Sequence, residues 1–217
     1  MDFVDICNRL SEQRHVGAQY SIFLGDLYSN PDYAKKYSGS YAGNVIHLQV
    51  TAVQSALIMF CARVWDDGRD TFCIPHAIKH INAVKSDSYG SFVQSLPAVS
   101  LVNESRLRVV IDRAMARWTA LEASEIRKVV RVVRTEQLAH LTKNSGDRTK
   151  HFPAGDFDQH SLTMNNIVEF ARESVMLIDD LVWLATGTVF SFDMNRTTFE
   201  SYCSSFWTNM PVYADCE

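Results

Sequence analysis

The sequence is poor in the residues that break helices, since its 217 residues include only nine glycines and five prolines. None of the glycines stands in the patterns G-x-x-x-x-G-K or G-x-G-x-x-G, so no phosphate-binding or dinucleotide-binding loop is predicted. The G-x-S-x-G turn of serine hydrolases is also missing. These absences exclude the commonest nucleotide-binding and hydrolase sites that are built on loops, so candidate sites are expected on helices.

The sequence also lacks features of secreted and membrane proteins. Its five cysteines are an odd number without a C-x-x-C pair, which favours a reducing compartment over a disulfide framework. Asp2 and Asp5 stand where a signal peptide has a basic segment, and Arg63 interrupts the apolar residues 57–62. We therefore expect a cytoplasmic protein without a membrane segment.

Apolar residues recur at steps of three and four along most of the chain, which is the period of an amphipathic helix. One such stripe consists of Ile46, Val50, Val53, Leu57, Phe60 and Val64, and another of Leu107, Ile111, Ala114, Trp118 and Leu121. No alternating pattern of a β-strand stands out. The predicted fold class is all-α, a bundle of five to six helices forming a single domain over residues 1–217.

Besides a short helix over residues 71–84, further helices are predicted over residues 5–28, 123–143, 161–186 and 195–210, and Gly187 is predicted to end the one over 161–186. In the helix over residues 5–28 the residues expected to face inward are Val16, Tyr20, Phe23 and Leu27. Asn30-Pro31 ends that helix, because the residue before a proline disfavours helical angles, and residues 33–43 are predicted to be a loop.

Charge is unevenly distributed, although the net charge is only −4. Residues 104–151 carry 11 basic and 6 acidic residues, whereas residues 152–217 carry 2 and 10. A basic segment in an acidic protein indicates either a surface for a polyanion or internal pairing with the acidic segment. Charge alone leaves both interpretations open.

Cys73, His76 and His80 lie three and four residues apart on a predicted helix and are candidate zinc ligands. Neither the H-E-x-x-H pattern nor a nearby fourth ligand accompanies them. Histidines on a surface helix are therefore the preferred interpretation, and no metal or cofactor is predicted.

Carboxylates cluster on the predicted helix 161–186. Glu169, Glu173 and Asp180 share a face, and a di-iron E-x-x-H pattern does not accompany them. We interpret this face as solvated, with Arg172 pairing Asp179.

Residues 129–140, V-V-R-V-V-R-T-E-Q-L-A-H, are the most informative part of the sequence. In a helix His140 shares the apolar face of Val129 and Val133, while Arg134 lies about 120° around the axis and about 9 Å along it. Within one straight helix Arg134 and His140 do not form a tight pair. Taken alone, this pattern indicates a core histidine and a surface arginine.

The residues 134–140, R-T-E-Q-L-A-H, resemble the R-x(4–6)-H motif of HEPN domains, and more closely its R-D-K-x-L-A-H form in the abortive-infection AbiU-type branch. Residues 62–66 resemble the A-R-x-x-D pattern of the same branch, and Asp70-Thr71-Phe72 its D-T-hydrophobic start of the next helix. The resemblance is strongest over residues 40–186.

The resemblance implies a HEPN-like helical bundle that forms a homodimer and cleaves RNA without metal, as a toxin or antiphage effector. It places Arg134 and His140, from two protomers, at the dimer interface as catalytic residues. RNA is then the substrate, and a cognate antitoxin or regulator a further partner. Arg131 and Lys143 flank this motif in the sequence and are the candidate residues that bind RNA phosphates.

Two positions depart from the family pattern. Thr135 stands where the family usually has Asn or Asp, and Thr142 stands where HEPN toxins controlled by AMPylation have tyrosine. The first departure removes a group that orients the site, and the second argues against that form of control. A non-catalytic HEPN-like binding module therefore remains the alternative.

Overall fold

The computed structural model describes residues 2–38, 40–85, 96, 104–133, 163–188 and 192–210. These residues form eight α-helices and no strand: α1 (Phe3–Ser29), α2 (Pro31–Tyr37), α3 (Tyr41–Val64), α4 (Ile74–Lys85), α5 (Glu104–Glu122), α6 (Glu125–Val133), α7 (Met164–Thr186) and α8 (Phe192–Asn209). The all-α prediction is confirmed, and the number of helices exceeds the five to six predicted.

Helix α2 lies where the sequence predicted a loop. Asn30 does end α1, but its side chain also accepts a hydrogen bond from Asp32 N at 3.2 Å, and Pro31 occupies the first position of α2. Both features start helices, because the cap satisfies a free amide and proline has none to satisfy. The prediction of a loop over residues 33–43 was therefore wrong for Tyr33–Tyr37, and also for residues 41–43, because α3, which Ser40 caps, already begins at Tyr41.

Helices α1 and α7 form the centre of the bundle. They pack along each other, α3 and α8 pack against both, and α5 covers a further side of α7. Most residues of α7 are buried, as its nearly uniform apolar sequence predicts. Gly187 ends the helix with φ 71°, and its amide donates to Trp183 O at 2.8 Å. Glycine suits this left-handed position because it has no Cβ to clash.

The buried face of α1 includes large apolar residues such as Leu10, and also three small residues at steps of four, Gly17, Ser21 and Gly25. The ring of Phe60 occupies the space where a side chain of residue 17 would lie, and Arg172 crosses over Gly25. The predicted inward face was therefore wrong at Val16, which is 41% exposed. Close helix packing at small residues therefore acts together with apolar side chains to decide which face of α1 is buried.

The two apolar stripes of the sequence are confirmed at most positions. Leu57, Phe60 and Val64 of α3 lie in the core, as do Leu107 and Ile111 of α5. They meet side chains of α1 and α7 there, which explains the period of the stripes.

Helix α3 is also the one helix of the described residues that is long and apolar enough to cross a membrane. The segment Ala42–Val64 has a mean hydropathy of 1.7, with 28% of the tested window buried. Arg63, which interrupts the apolar residues 57–62, stands only at the end of this segment and does not shorten it below the length of a membrane span. A single such helix is weak evidence for a membrane segment, since a core helix has the same composition.

The end of α8 is held by a second, smaller cluster around the fully buried Trp207. Phe23 lies 4.8 Å and Tyr33 6.0 Å from it between ring centroids, and the Tyr37 hydroxyl donates to Trp207 O. Lys36 Nζ donates to Thr208 O at 2.6 Å. A lysine placed at the carbonyl end of a helix complements its dipole, so α2 fastens α8 onto α1.

Asp26, on α1 facing α8, has a buried Oδ2 atom without a hydrogen-bond partner among the described residues. Burial raises the pKa of Asp26, and the nearby Glu200 raises it further. A carboxyl group whose pKa is higher in the folded state than in the unfolded state destabilises the protein when it is ionised.

We therefore expect Asp26→Asn to raise the free energy of unfolding at pH 7, by less than about 1 kcal/mol because the group is partly solvated. The difference from wild type should shrink as the pH falls through the raised pKa, since wild-type Asp26 is then protonated. Urea unfolding at several pH values measures it. Glu12→Gln, an exposed substitution on the same helix, is the control, and an equal gain from both variants would contradict the assignment.

Candidate functional site

Three of the four residues predicted to form the site, Arg134, His140 and Lys143, lie outside the described residues. Arg131 belongs to α6, but its side chain is also outside them. Their assignment therefore stays a prediction. The structure does describe the helix that leads directly into the R-x5-H motif, because α6 ends at Val133.

Helix α6 starts after a tight turn from α5. Ser124 Oγ accepts a hydrogen bond from Ile126 N at 3.2 Å, and Glu125 places a negative charge in the first turn. Ile126, Val129 and Val130 are buried, and the helix contacts α3 and α7. The prediction that Val129 lies on an apolar, inward face is confirmed.

A pair of stacked tryptophans lies beneath α6. The rings of Trp65, at the end of α3, and Trp118, on α5, have centroids 5.2 Å apart and an interplanar angle of 12°. Trp65 Nε1 donates to Ser174 Oγ at 2.9 Å, and Ser174 Oγ donates to Phe170 O at 2.7 Å. The position of the indole pair is thus fixed by α7.

Arg127 of α6 lies over this tryptophan pair. Its Cζ atom is 5.2 Å from the centroid of Trp65 and 6.0 Å from that of Trp118, and its Nη1 pairs with Glu122. Such a cation over indole rings is attracted by their negative faces. Arg127 was not among the residues predicted to form the site. A signal was present, because Trp65 lies within the A-R-x-x-D pattern and Trp118 within an apolar stripe.

The A-R-x-x-D pattern ends in a hydrogen-bonded turn between α3 and α4. Asp66 Oδ1 accepts from Gly68 N at 3.2 Å, and Thr71 Oγ1 donates to Asp66 O at 2.6 Å and to Gly68 O at 2.7 Å. His76 Nδ1 lies 2.8 Å from Thr71 O. Asp66 and Thr71 thus have a structural role in this turn, whereas Arg63 is exposed.

The solvated face predicted on α7 is confirmed for Glu169 and Glu173, whose side chains are 63% and 44% exposed, but not for Asp180, and the pairing predicted for Asp179 is also wrong. Asp179 pairs with Arg14 at 2.7 Å, and both side chains are nearly buried, at 13% and 7% exposure. Asp179 also accepts from Phe192 N at 2.8 Å, at the start of α8. Burial raises the pKa of Asp179, an effect that Arg14 and the Phe192 amide oppose. The predicted partner, Arg172, pairs with Glu169 instead.

Asp180 is also buried, with its side chain 4% exposed. It accepts from Arg113 Nε at 3.0 Å and from Arg117 Nη1 at 2.6 Å, and this hydrogen bonding raises the pKa of Arg113. The two arginines come from α5, 67 and 63 residues earlier in the chain. The prediction was wrong for Asp180 because its partners come from a distant helix, which the sequence of α7 does not indicate.

These ion pairs explain much of the uneven charge in the part of the chain that the structure describes. Arg113 and Arg117 from the basic segment pair with Asp180 from the acidic one, and Arg117 also pairs with Glu173. Within the basic segment, Lys128 pairs with Glu125. For these side chains internal pairing, rather than a surface for a polyanion, is the correct interpretation.

Cys73, His76 and His80 do not form a ligand cluster. Among the described residues no group of three or more His, Cys, Asp or Glu side chains is placed to hold a metal ion. Cys73 is buried, which raises the pKa of its thiol, and the ring of His80 lies 6.3 Å from Phe3. Burial likewise raises the pKa of Cys7 and Cys61. These thiols are protonated packing groups rather than nucleophiles.

Comparison with models of known protein families matches residues 2–206 to the HEPN family described as AbiU2. The match extends beyond residues 40–186, where the sequence motifs are strongest, and includes both central helices of the bundle. No curated protein and no solved structure matches the chain.

Proposed function

This chain belongs to the AbiU2 family of HEPN proteins, and on that basis we propose that it is a metal-independent endoribonuclease acting as a toxin or antiphage abortive-infection effector. The observation that carries the proposal is the family match, which spans the R-x5-H motif at residues 134–140. The described structure supports it by placing a firmly packed helix, α6, immediately before that motif.

The chemistry needs a base for the 2′-hydroxyl, an acid for the leaving 5′-oxygen and positive charge at the phosphorus. A histidine with its ordinary pKa of about 6.5 serves as acid or base near neutral pH. His140 from each of two protomers fills both proton-transfer roles. Arg134 binds the phosphate with two parallel hydrogen bonds and stabilises the charge that develops on it.

A homodimer removes the geometric difficulty of the motif. Within one straight helix Arg134 and His140 point about 120° apart, so one helix does not bring them onto a single phosphate. Residues from two copies of the motif can converge at an interface, which is how the family arranges them. The proposed site is therefore composite and depends on dimerisation.

RNA binding then needs cations that can contact phosphates. Arg113 and Arg117 are engaged with the buried Asp180, so they are poor candidates for such contacts. Arg131, one turn before Arg134, and Lys143 are the proposed phosphate-binding residues. Their contribution should weaken with added salt, as phosphate contacts do.

The test is RNA cleavage by purified wild-type protein in EDTA, over protein concentrations that span dimer dissociation. We expect cleavage of transfer RNA or total RNA that EDTA does not inhibit and whose specific activity rises with the fraction of dimer. Cleavage that depends on an added divalent metal would contradict the proposal. So would an equal specific activity of monomer and dimer.

One observation favours the second candidate function, a non-catalytic binding module. Thr135 follows Arg134 where active relatives usually carry an amide or a carboxylate. If the folded dimer binds RNA or a protein partner but leaves every RNA intact, this candidate replaces the first. RNA cleavage that is abolished by His140→Ala excludes it.

A further inference from the structure

The contact of Arg127 with the tryptophan pair, Trp65 and Trp118, lies seven residues before Arg134, at the only described approach to the candidate site. We propose that Arg127 is a positioning residue: by clamping α6 onto the tryptophan pair it sets the direction in which the chain enters the R-x5-H motif. The inference rests on the proposed ribonuclease function, because it assigns a role to Arg127 in that same site.

The surroundings of Arg127 make it a fixed group rather than a mobile surface cation. Its side chain is 24% exposed, one face of the guanidinium lies over indole rings, and its Nη1 is paired with Glu122. Arginine is suited to this role because its planar group stacks and forms directed hydrogen bonds at the same time. It therefore holds α6 both to its ring partners and to the end of α5.

The clamp connects α6 to three other helices. Trp65 belongs to the end of α3, Trp118 to α5, and Ser174, which binds the Trp65 indole at 2.9 Å, to the buried helix α7. Ile126, Val129 and Val130 give α6 an apolar face, and apolar contacts by themselves permit rotation and sliding more readily than a directed contact does. The directed contact of Arg127 therefore fixes one rotation and one axial position of α6, which together are its register.

The register matters because of the distance to the reacting groups. Val133, the last residue of α6, lies about 9 Å along the axis beyond Arg127, and Arg134 follows it directly in the chain, so a small rotation of α6 displaces the point from which the motif starts. Misplacement of catalytic groups by about 1 Å costs up to about 100-fold in rate. Such an effect lowers kcat, whereas loss of a phosphate contact raises KM.

The test compares Arg127→Gln and Arg127→Lys with wild type in hydrogen exchange and in steady-state RNA cleavage in EDTA. In Arg127→Gln we expect faster amide exchange over residues 125–133 and unchanged exchange in α1 and α7. We also expect kcat to fall about 10- to 100-fold with little change in KM. Arg127→Lys, which keeps the charge but not the planar group, should be intermediate.

Arg9→Gln is the matched control. Arg9 also lies over an aromatic ring, Phe72 at 5.8 Å, and pairs with a glutamate, Glu12 at 3.1 Å, but it belongs to α1. Arg9→Gln removes the same charge and the same types of contact as Arg127→Gln, but from a helix that does not lead into the motif. It should therefore leave kcat, KM and exchange in α6 unchanged. A spectroscopic readout adds to this: the far-ultraviolet exciton signal of the stacked indoles should change in Arg127→Gln, persist in Arg9→Gln and vanish in Trp118→Phe.

The outcomes separate the two proposals. An active wild type with an equally active Arg127→Gln variant would overturn the positioning role and leave the ribonuclease function intact. Unchanged exchange over residues 125–133 would overturn the clamp itself. A folded, dimeric wild type that cleaves no RNA would overturn the proposed function, and with it the positioning role, even if exchange in α6 is faster in the variant.

Discussion

Replacing His140 with alanine is expected to lower the rate of RNA cleavage about 100- to 10,000-fold, because the variant lacks the group that moves protons to and from the reacting oxygens. Replacing Arg134 with alanine should cost about 100- to 1,000-fold, since it removes charge stabilisation at the phosphate. Initial rates at saturating RNA in EDTA measure both effects. Circular dichroism and sedimentation establish that each variant is folded and dimeric.

Arg131→Ala is the comparison that separates catalysis from binding. Arg131 is proposed to contact a phosphate, so its loss should raise KM several-fold and reduce the salt dependence of binding, with kcat nearly unchanged. A His140→Ala variant that is folded and retains more than about a tenth of wild-type kcat would contradict its assignment as a proton-transfer residue.

The second large effect concerns stability. Asp179→Ala is expected to lower the free energy of unfolding by about 3–5 kcal/mol, because it removes the carboxylate that neutralises the buried guanidinium of Arg14. It also removes the acceptor of the Phe192 amide at the start of α8. For a chain of this size the loss corresponds to a fall in Tm on the order of 10 °C. Urea unfolding monitored by tryptophan fluorescence measures the change.

Two further variants test the reason for this effect. Glu12→Ala removes an exposed carboxylate that pairs with Arg9, and should cost less than about 1 kcal/mol. The double variant Arg14→Met with Asp179→Leu removes both charges, and should recover most of the stability lost in Asp179→Ala. If Asp179→Ala lowers the free energy of unfolding no more than Glu12→Ala does, the buried ion pair is not a major stabilising contact between α1 and α7.

The sequence was sufficient for features that depend on local pattern. The apolar stripes of α3 and α5 predicted their buried faces, and Gly187 predicted the end of α7. Periodicity reports which face of a helix is apolar, and helix termini depend on a few neighbouring residues. Helix α2 was missed because Asn30-Pro31 ends one helix and begins the next.

Features that depend on distant partners could not be predicted. Asp180 was predicted to be a solvated carboxylate, but Arg113 and Arg117 from α5 bind it. Val16 was predicted to lie inward, but the small residues Gly17 and Gly25 are where α1 approaches its neighbours closely. Pairing and close packing between helices follow from tertiary contacts, which a single sequence does not specify.

The candidate site shows the same division. The R-x5-H motif at residues 134–140 was recognisable from its letters, and the family match spans it. The position of Arg127 over Trp65 and Trp118 was not recognisable, because the three residues come from three helices. The sequence thus predicted the candidate catalytic residues, and the structure describes the contacts that hold the helix preceding them.

The most direct measurement of the central claim is the chemistry of the RNA products formed in EDTA. Attack by the 2′-hydroxyl, with His140 as the acid and base, predicts fragments that end in a 2′,3′-cyclic phosphate and begin with a 5′-hydroxyl. It also predicts that a 2′-deoxy substitution at the cleaved nucleotide blocks the reaction. Products that carry a 3′-hydroxyl, or cleavage of the 2′-deoxy substrate, would contradict the proposed mechanism.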